Sequence, residues 1–403
     1  MIHSFSCKNF YSFEDTATVD FEVNNNAPQN NGYFEGSSKI RLSKIEAVVG
    51  PNASGKTNLL KVLPFLKWII ADSFNSKPDD PVMIRPFAFG DAVNQPTELS
   101  VVFEVDGVVY TYGFTMIRER ILTEKLERTT FAKEKKGTKK VFYREWNAEL
   151  NRYEFDGNNF ELPKGFEGLL RSNASIIGTA ARLNQQEAQV IAKYWQKIET
   201  NVVEAGWTGD NLLPNKIPQW FEALIFYSQN ENLKKEAEGL LSRFDLGLSG
   251  IIFEKEKNED NLTIKNIQAK HSFGGEEHSL PIMYESSGTK QLFVLLKSIL
   301  SALENGGIAV IDEFDVNLHP EMVTALLNLF VNSETNPNNA QLLLSTHSHL
   351  LLSDLDKYQI VLVEKNENGA SEAWRLDDVE GVRPDDNYFA KYIAGAYGAV
   401  PKI

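Results

Sequence analysis

The pattern of apolar residues near the start of the chain predicts a buried strand followed by a helix. Ile45 to Val49 is a short, mostly apolar run that stops at Gly50, and apolar residues at helical spacing follow from Leu59 to Leu66. A short apolar run that gives way to a period of about 3.6 residues is typical of a strand leading into a helix. Gly50 is therefore predicted to lie at a strand-to-helix junction.

Longer patterns divide the rest of the chain into three kinds of segment. Alternating apolar and polar residues between 97 and 155, with an Asp-Gly hairpin turn that begins at Asp106, predict β-structure. Apolar residues at helical spacing dominate residues 167–243, strand patterns return over residues 250–267, and helix and strand alternate after Gly288. The ends of the chain are therefore predicted to form one α/β head around an insertion. The predicted division is a head over residues 1–96 and 246–403 and an inserted β-lobe and helical arm over residues 97–245.

The composition is that of an ordinary globular protein. Hydrophobic residues make up 42% and charged residues 24% of the 403 residues, a mixture that can bury a core. No run of about 18 or more apolar residues is present, so the sequence predicts no membrane helix, and the first residues lack a signal-peptide pattern. Cys7 is the only cysteine, which excludes an intrachain disulfide and a multi-cysteine metal site. A cytoplasmic location is expected.

The net charge of −14 argues against tight non-specific binding of a nucleic-acid duplex by the monomer, because duplex-binding domains carry a basic face. A local basic strip stays open, since screening separates surfaces more than about 10 Å apart. The lysine-rich turn from Lys133 to Lys140 could contact nucleic-acid phosphates, although a solvated turn is the commoner explanation for such a run. The charge therefore does not indicate a nucleic-acid partner.

A phosphate-binding loop is the most specific motif in the sequence. The segment after the predicted strand matches the pattern G-x-x-x-x-G-K-[ST] with Gly50, Pro51, Asn52, Ala53, Ser54, Gly55, Lys56 and Thr57. The glycines allow backbone N–H groups to turn towards phosphate oxygens. Lys56 could reach the β- and γ-phosphates of ATP, and the Thr57 hydroxyl could hold Mg²⁺. The strand and helix predicted on either side supply the context that this motif requires.

Two acidic residues follow a second apolar strand. Ile308 to Ile311 is apolar throughout, as expected of a buried parallel strand, and Asp312 and Glu313 come directly after it. We expect Asp312 to hold Mg²⁺ directly or through water, and Glu313 to polarise the attacking water. The alternative, a strand that simply ends in two solvated acids, is weakened by the phosphate loop elsewhere in the chain.

Two further motifs are weaker when each is taken alone. Ser287 and Gly288 precede an apolar helix and could offer hydroxyl and N–H donors to an anion, although an ordinary helix cap has the same sequence. His347 follows the apolar run from Leu342 to Ser345 and could sense a γ-phosphate. His347 and His349 could instead form a surface or metal-binding pair, but no third ligand is apparent nearby.

The order of the four motifs resembles the ABC-type ATPase heads of the SMC and RecF group. The resemblance covers residues 1–70 and 280–365 at the level of motifs. It implies that the Ser-Gly signature of one head contacts the γ-phosphate held by the phosphate loop of a second copy, in a homodimer or a larger oligomer. It also implies that the loop from Phe314 to Leu318, followed by His319-Pro320, lies across the dimer interface. The residues implied in catalysis are Glu313, Lys56 and His347.

Within that group, the chain is similar to the stand-alone bacterial ATPases of the abortive-infection and phage-defence class, the RloA/AbiL-like proteins. The segments Phe10–Phe13, Asn173–Ser175 and Tyr392–Pro401 carry this second resemblance. It implies a separate partner of the nuclease or toprim type. The chain departs from the general ABC pattern at Thr289-Lys290, where a second glycine is usual. No glutamine loop can be assigned between Gln95 and Gln229, which leaves one Mg²⁺ or water contact unassigned.

These observations predict an α/β, ABC-type P-loop ATPase with ATP and Mg²⁺ as cofactors. ATP would draw two heads together head to tail, and hydrolysis would release them, as the switch of an antiphage defence system with a nuclease-type effector. Two other functions stay open. One is a DNA-repair or chromosome-handling ATPase that binds DNA directly, and the other is a toxin held inactive as an ATP-bound scaffold.

Overall fold

The computed structural model of the chain describes residues 1–78, 80–132, 135–202, 219–244, 247–258 and 261–401. The strands are β1 (Ile2–Lys8), β2 (Ala17–Asp20), β3 (Tyr33–Glu35), β4 (Arg41–Ser43), β5 (Ile45–Val49), β6 (Thr97–Val105), β7 (Val108–Met116), β8 (Ile121–Ala132), β9 (Lys135–Asn147), β10 (Arg152–Asp156), β11 (Glu199–Thr200), β12 (Leu248–Asn258), β13 (Asn261–Phe273), β14 (Glu276–Pro281), β15 (Ile308–Ile311), β16 (Gln341–Ser345), β17 (Ile360–Lys365) and β18 (Ser371–Arg375). The α-helices are α1 (Lys56–Leu60), α2 (Val62–Lys67), α3 (Ile176–Arg182), α4 (Gln186–Gln196), α5 (Gln219–Gln229), α6 (Glu231–Arg243), α7 (Ser287–Asn305), α8 (Pro320–Val331) and α9 (Tyr388–Ile393).

A mostly parallel sheet forms the centre of the head, with the strand order β11-β15-β16-β5-β17-β18. Neighbouring strands from β11 to β17 run parallel, and only β18 is antiparallel. Every residue of β5, β15 and β16 is buried, because helices or a second sheet cover both faces. Strands buried on both faces are apolar throughout rather than alternating, which explains the apolar runs seen in the sequence.

The two faces of the central sheet belong to different cores. On β5, Ile45, Ala47 and Val49 pack in the cluster that contains α7 and α8. Val48 points the other way, into a cluster that contains α1, α2 and the second large sheet. Since successive side chains of a strand face opposite sides, the short apolar run of β5 joins both cores.

The second large sheet is antiparallel and has the order β10-β9-β8-β7-β6-β1-β2. The strands predicted between residues 97 and 155 therefore continue from β1 at the beginning of the chain, with β6 paired to β1 from Ile2↔Phe103 to Lys8↔Glu98. Gln341 of β16 fastens the two sheets together, because its side chain accepts a hydrogen bond from Ile2 N (2.7 Å) and donates one to Ile2 O (2.9 Å). The division of the chain at residues 97 and 245 stays a prediction.

The described part of the predicted helical region, residues 167–243, contains α3, α4, α5 and α6, and the last two meet at Asn230. The helices α5 and α6 form the part that follows β11. Both pack on α7, and α6 also contacts β12. The predicted strand region that follows is a three-stranded antiparallel sheet with the order β12-β13-β14. Part of the predicted lysine-rich turn, residues 133 and 134, lies outside the described residues. Lys140 in the β9 arm of that hairpin forms an ion pair with Asp156 (2.5 Å).

The observed elements make the protein a mixed α/β molecule, which confirms the predicted class. Across the residues that the structure describes, none of the helices combines the length and the apolar character needed to span a membrane.

A buried ion pair ties the antiparallel sheet to the segment before α3. Arg144 on β9 lies 2.6 Å from Glu124 on β8, and neither side chain is exposed. Glu124 also accepts hydrogen bonds from Tyr112 Oη (2.8 Å) and Ile176 N (2.9 Å). Arg144 donates to the carbonyl of Ala174 (2.7 Å). Burial, with the neighbouring Glu124 carboxylate, raises the pKa of Tyr112 well above its usual value.

We expect Arg144→Met to destabilise the fold strongly, because it leaves the Glu124 carboxylate buried without its partner. Breaking such a pair costs about 3–5 kcal/mol, and urea denaturation would measure the loss. Lys140→Met is the matched control, since the Lys140–Asp156 pair is 46% and 40% exposed and exposed pairs contribute about 0–1 kcal/mol. Equal losses in the two variants would contradict the assignment of Arg144 as a buried structural residue.

Candidate functional site

Three neighbouring parallel strands of the central sheet end at one edge, and the predicted chemistry follows each of them. The phosphate loop follows β5, His347 comes shortly after β16, and Asp312 and Glu313 follow β15. These segments surround one cleft of about 510 Å³. Its lining includes Ser12, residues 52–58 with Lys56 and Thr57, Asp312, Glu313, His347 and Lys365. The structure therefore brings the predicted loop, acids and histidine together within one chain.

Lys56 is folded back onto the phosphate loop. Its ammonium donates hydrogen bonds to the carbonyls of Gly50 (2.8 Å) and Pro51 (2.9 Å). Burial lowers the pKa of Lys56, while the carboxylates of Asp312 and Asp315 act in the opposite direction. The carbonyls of the loop therefore bind the partly desolvated ammonium of Lys56. The phosphates of a bound nucleotide would be stronger acceptors for the same ammonium.

Close packing explains why glycine occupies both ends of the loop. A Cβ atom on Gly50 would lie 2.0 Å from the carbonyl oxygen of Val363 on β17. Gly55 has φ 118°, and a Cβ atom there would lie 2.4 Å from Ser371 Oγ. Such a φ is unfavourable for residues that carry a side chain. The loop can therefore keep this shape only with glycine at these positions.

Two serines outside the four motifs support the loop, Ser371 directly and Ser12 through Ser371 and α1. Ser371 Oγ donates to Ser54 O (2.5 Å), and Ser371 N donates to Ser12 O (2.7 Å). Ser12 Oγ accepts a hydrogen bond from Asn58 Nδ2 (2.9 Å). Ser12 lies in the Phe10–Phe13 segment that carries part of the family resemblance, whereas no sequence motif marks Ser371.

The turn that carries the two acids is fixed by Ser345, the last residue of β16. The Ser345 hydroxyl donates to Asp312 Oδ1 and accepts a hydrogen bond from Glu313 N (2.9 Å). Glu313 has a left-handed backbone with φ 53°. Its carboxylate is 58% exposed and lies 3.8 Å from His347 Nε2. Both predicted catalytic groups beyond the phosphate loop therefore face the same opening.

Asn201, directly after β11, holds the other side of this turn. Its side chain accepts a hydrogen bond from Asp312 N (2.7 Å) and donates one to Asp312 O (2.9 Å). A second cleft of about 350 Å³ continues past Thr57 and Asp312, and the side chains of Asn201, Gln219 and Gln291 line it. Asn201 and Gln219 both lie between Gln95 and Gln229. No glutamine loop could be assigned to that part of the sequence. Asn201 and Gln219 are the two side-chain amides from it that line the second cleft.

The oxygen donors in these clefts fit Mg²⁺. Thr57 and Asp312 line both clefts. Mg²⁺ is usually held by one or two protein ligands, with phosphate oxygens and water as its other ligands, and a hydroxyl with a carboxylate fits that number. No group of three or more His, Cys, Asp or Glu side chains that could hold a metal ion occurs in the described part of the chain. The ring of His349, the second histidine of the pair with His347, packs against Tyr392, with 5.0 Å between the ring centroids.

The Ser-Gly signature is not part of either cleft in the single chain. Ser286 caps α7 by accepting a hydrogen bond from Thr289 N (3.0 Å), and Ser287 and Gly288 are the first two residues of the helix. Ser287 is exposed. The ordinary helix cap that the sequence allowed here is therefore formed by Ser286. Ser287, the next residue, is exposed at the surface of the single chain.

Residues 45–354 match the family described as "AAA domain, putative AbiEii toxin, Type IV TA system". Among curated proteins, the Retron Ec83 probable ATPase of Escherichia coli is 24% identical over 183 residues, which are 42% of this chain and 32% of that protein. The Retron Vc95 probable ATPase of Vibrio cholerae serotype O1 biovar El Tor is 31% identical over 109 residues, which are 27% of this chain and 19% of that protein. The matched segments thus span a third or less of these relatives.

Solved SMC head domains are also similar to the chain. The SmcHead bound to the C-winged helix domain of ScpA has a TM-score of 0.48 at 16% identity and covers 94% of this chain and 99% of its own. The SMC head domain from Thermotoga maritima has a TM-score of 0.39 at 14% identity, with 93% and 98% covered.

We expect Gly55→Ala to weaken binding of a fluorescent ATP analogue. Strain at such a backbone position is about 1–3 kcal/mol, and every 1.4 kcal/mol corresponds to about tenfold in affinity, so a loss of about ten- to hundredfold is expected. Gly239→Ala is the control, because nothing lies within 4 Å of a Cβ atom there and the residue is inside α6. Unchanged affinity in Gly55→Ala would show that the loop tolerates another shape.

Proposed function

The chain belongs to this AAA-domain family, and from that premise we propose that it is a Mg²⁺-dependent ATPase whose site is completed by a second copy of the chain. The observation that carries the proposal is the meeting of the phosphate loop, Asp312 and Glu313 at the ends of adjacent parallel strands. A chance loop match would not have this arrangement. The family match also agrees with the resemblance to abortive-infection ATPases.

Each side chain takes a role from its position in the cleft. Lys56 would exchange the carbonyls of Gly50 and Pro51 for the terminal phosphates of ATP. Thr57 and Asp312 would hold Mg²⁺, which neutralises phosphate charge when bound. Catalysis of this kind depends on positioning and on electrostatic stabilisation of the transferred phosphoryl group.

Glu313 and His347 stand where the attacking water would lie. The Glu313 carboxylate is exposed to the cleft and would orient the water and take its proton, as a positioned base does. His347, 3.8 Å away, would contact the γ-phosphate or the same water. The main chain of His347 is itself fixed, because its N–H donates to Asp315 Oδ1 (3.0 Å).

The signature supports completion of the site by a second copy. Ser287 is exposed and is not among the residues that line either cleft of its own chain. Met283 and Tyr284, just before it, are 64% and 75% exposed. Large exposed apolar side chains are typical of surfaces that become covered on association. Head-to-tail pairing would place this surface over the phosphate loop of the other copy.

ATP would then act as the ligand that closes the pair, because it would bind the closed dimer better than the single head. We extend the proposal, on the strength of the resemblance, to a switch in bacterial defence that works with a separate nuclease-type effector. The family description and the names of the retron relatives support this extension without identifying the effector.

Glu313→Gln tests the chemistry. The change keeps the shape of the side chain but removes the charge, so ATP should still bind while steady-state hydrolysis falls by about 10²–10⁴-fold. Light scattering should then show that Mg-ATP keeps the protein in its associated form. Lys56→Ala is the control that should lose nucleotide binding itself. Hydrolysis by Glu313→Gln at the wild-type rate would exclude Glu313 as the residue that positions water.

Mixing two inactive variants tests the shared site. Ser287→Arg should spare ATP binding and block hydrolysis, and Lys56→Ala should lose nucleotide binding. Their heterodimer would have one site with both lesions and one intact site, so part of the activity should return on mixing.

Leu150→Arg is the control for the introduced charge, because Leu150 is 53% exposed in the β9–β10 turn, and it should hydrolyse ATP normally. Heterodimers without any recovered activity would rule out sharing between copies, while the ATPase assignment would still rest on Glu313→Gln.

A further inference from the structure

Ser345 is a buried residue whose hydroxyl and carbonyl are both directed at the acidic turn. It is the last residue of β16, none of it is exposed, and β16 lies between β5 and β15. Its hydroxyl donates to Asp312 Oδ1 and accepts from Glu313 N, and its carbonyl accepts from Phe314 N (2.9 Å). One residue thus holds three consecutive residues of the next strand's turn.

The hydroxyl contact to Asp312 differs in kind from the other bonds around the turn. A serine hydroxyl has a single proton to donate, and here that proton goes to a carboxylate, which makes a charge-assisted bond. Asn201, on the other side of the turn, bonds to the main chain of Asp312. The orientation of the carboxylate therefore depends on Ser345, whereas the main chain has support from both sides.

The bond from Glu313 N matters because the backbone of Glu313 is unfavourable. A left-handed backbone is unfavourable for a residue with a side chain, so φ 53° requires neighbours that compensate. The N–H groups of Glu313 and Phe314 both end on Ser345. This conformation directs the Glu313 carboxylate towards His347 and the cleft.

We propose that Ser345 is a positioning residue of the ATPase site, which fixes the Asp312 carboxylate for Mg²⁺ and the Glu313 backbone for the attacking water. This inference rests on the proposed function. It assigns to one buried hydroxyl the relative placement of the two acids, a role that neither acid can set for itself.

The test is Ser345→Ala, with metal affinity measured apart from turnover. Residues that orient a metal ligand typically contribute about 10–100-fold to metal affinity or activity. Mn²⁺ is the probe, titrated by electron paramagnetic resonance in the presence of a non-hydrolysable ATP analogue. We expect Mn²⁺ to bind about tenfold or more weakly, kcat to fall by at least as much, and the metal-free affinity for the analogue to stay the same.

Two further variants separate positioning from packing. Ser298→Ala removes another buried serine hydroxyl, which lies in α7 and bonds to Val294 O (3.3 Å), and Mn²⁺ affinity should not change. Ser345→Cys keeps nearly the same size with only a weak donor, so it should fold like the wild type and lose Mn²⁺ affinity like Ser345→Ala. Thermal unfolding of each variant checks the fold.

The outcomes distinguish this inference from the proposed function. Wild-type Mn²⁺ affinity and kcat in both Ser345 variants would overturn the positioning role while leaving the ATPase intact. Wild-type protein that neither binds the analogue nor hydrolyses ATP would overturn the proposed function first. A loss in Ser345→Ala that Ser298→Ala shares to the same extent would reduce Ser345 to a packing residue.

Discussion

The parallel hydrogen bonding of β15, β16 and β5 is the constraint on which the site depends. Ile311 is level with Leu344, and Ser345 is level with Val48, so the three strands end almost together. A slip of one residue would turn every side chain of a strand to the opposite face. Ser345 would then point away from the acidic turn. Burial of both faces of these strands fixes the register, and the register places the chemistry.

The loops that carry the site residues begin where the strands end, so the hydrogen bonds of the sheet do not hold them. Other hydrogen bonds must fix their backbone. Here single polar side chains from distant parts of the sequence continue the bonding. Ser371 and Ser12 hold the phosphate loop, and Ser345 and Asn201 hold the turn after β15. Hydrogen bonds from these side chains therefore hold the backbone of the site, while the Glu313 carboxylate is exposed to the cleft.

The sequence was sufficient to predict the elements whose own pattern decides their structure. Ile45–Val49 and Ile308–Ile311 are strands with the bounds that their apolar runs suggested, and β16 begins one residue before the run from Leu342 to Ser345. Strands that are buried on both faces are mostly apolar, which makes them visible in the sequence. Ser371 could not be found in this way, because it meets Ser12 across 359 residues of sequence. A lone polar residue has no periodicity, and its role is set by pairing between strands that the sequence does not state. The segment from Gln219 to Arg243, which lies within the region of helical spacing, forms two helices, α5 and α6.

The arrangement of Lys56 and Ser287 bears on how a nucleotide could couple two copies. In the single chain, the Lys56 ammonium donates two hydrogen bonds to carbonyls of its own loop. The phosphates of a nucleotide must therefore replace these two bonds before they can pair with the ammonium charge. Ser287 is exposed and would contribute to that exchange only in the proposed pair. A ligand shifts an equilibrium only by the difference in its affinity for the two states. In the proposed pair, contacts from the signature would be a source of that difference, and tighter ATP binding would follow from them by linkage.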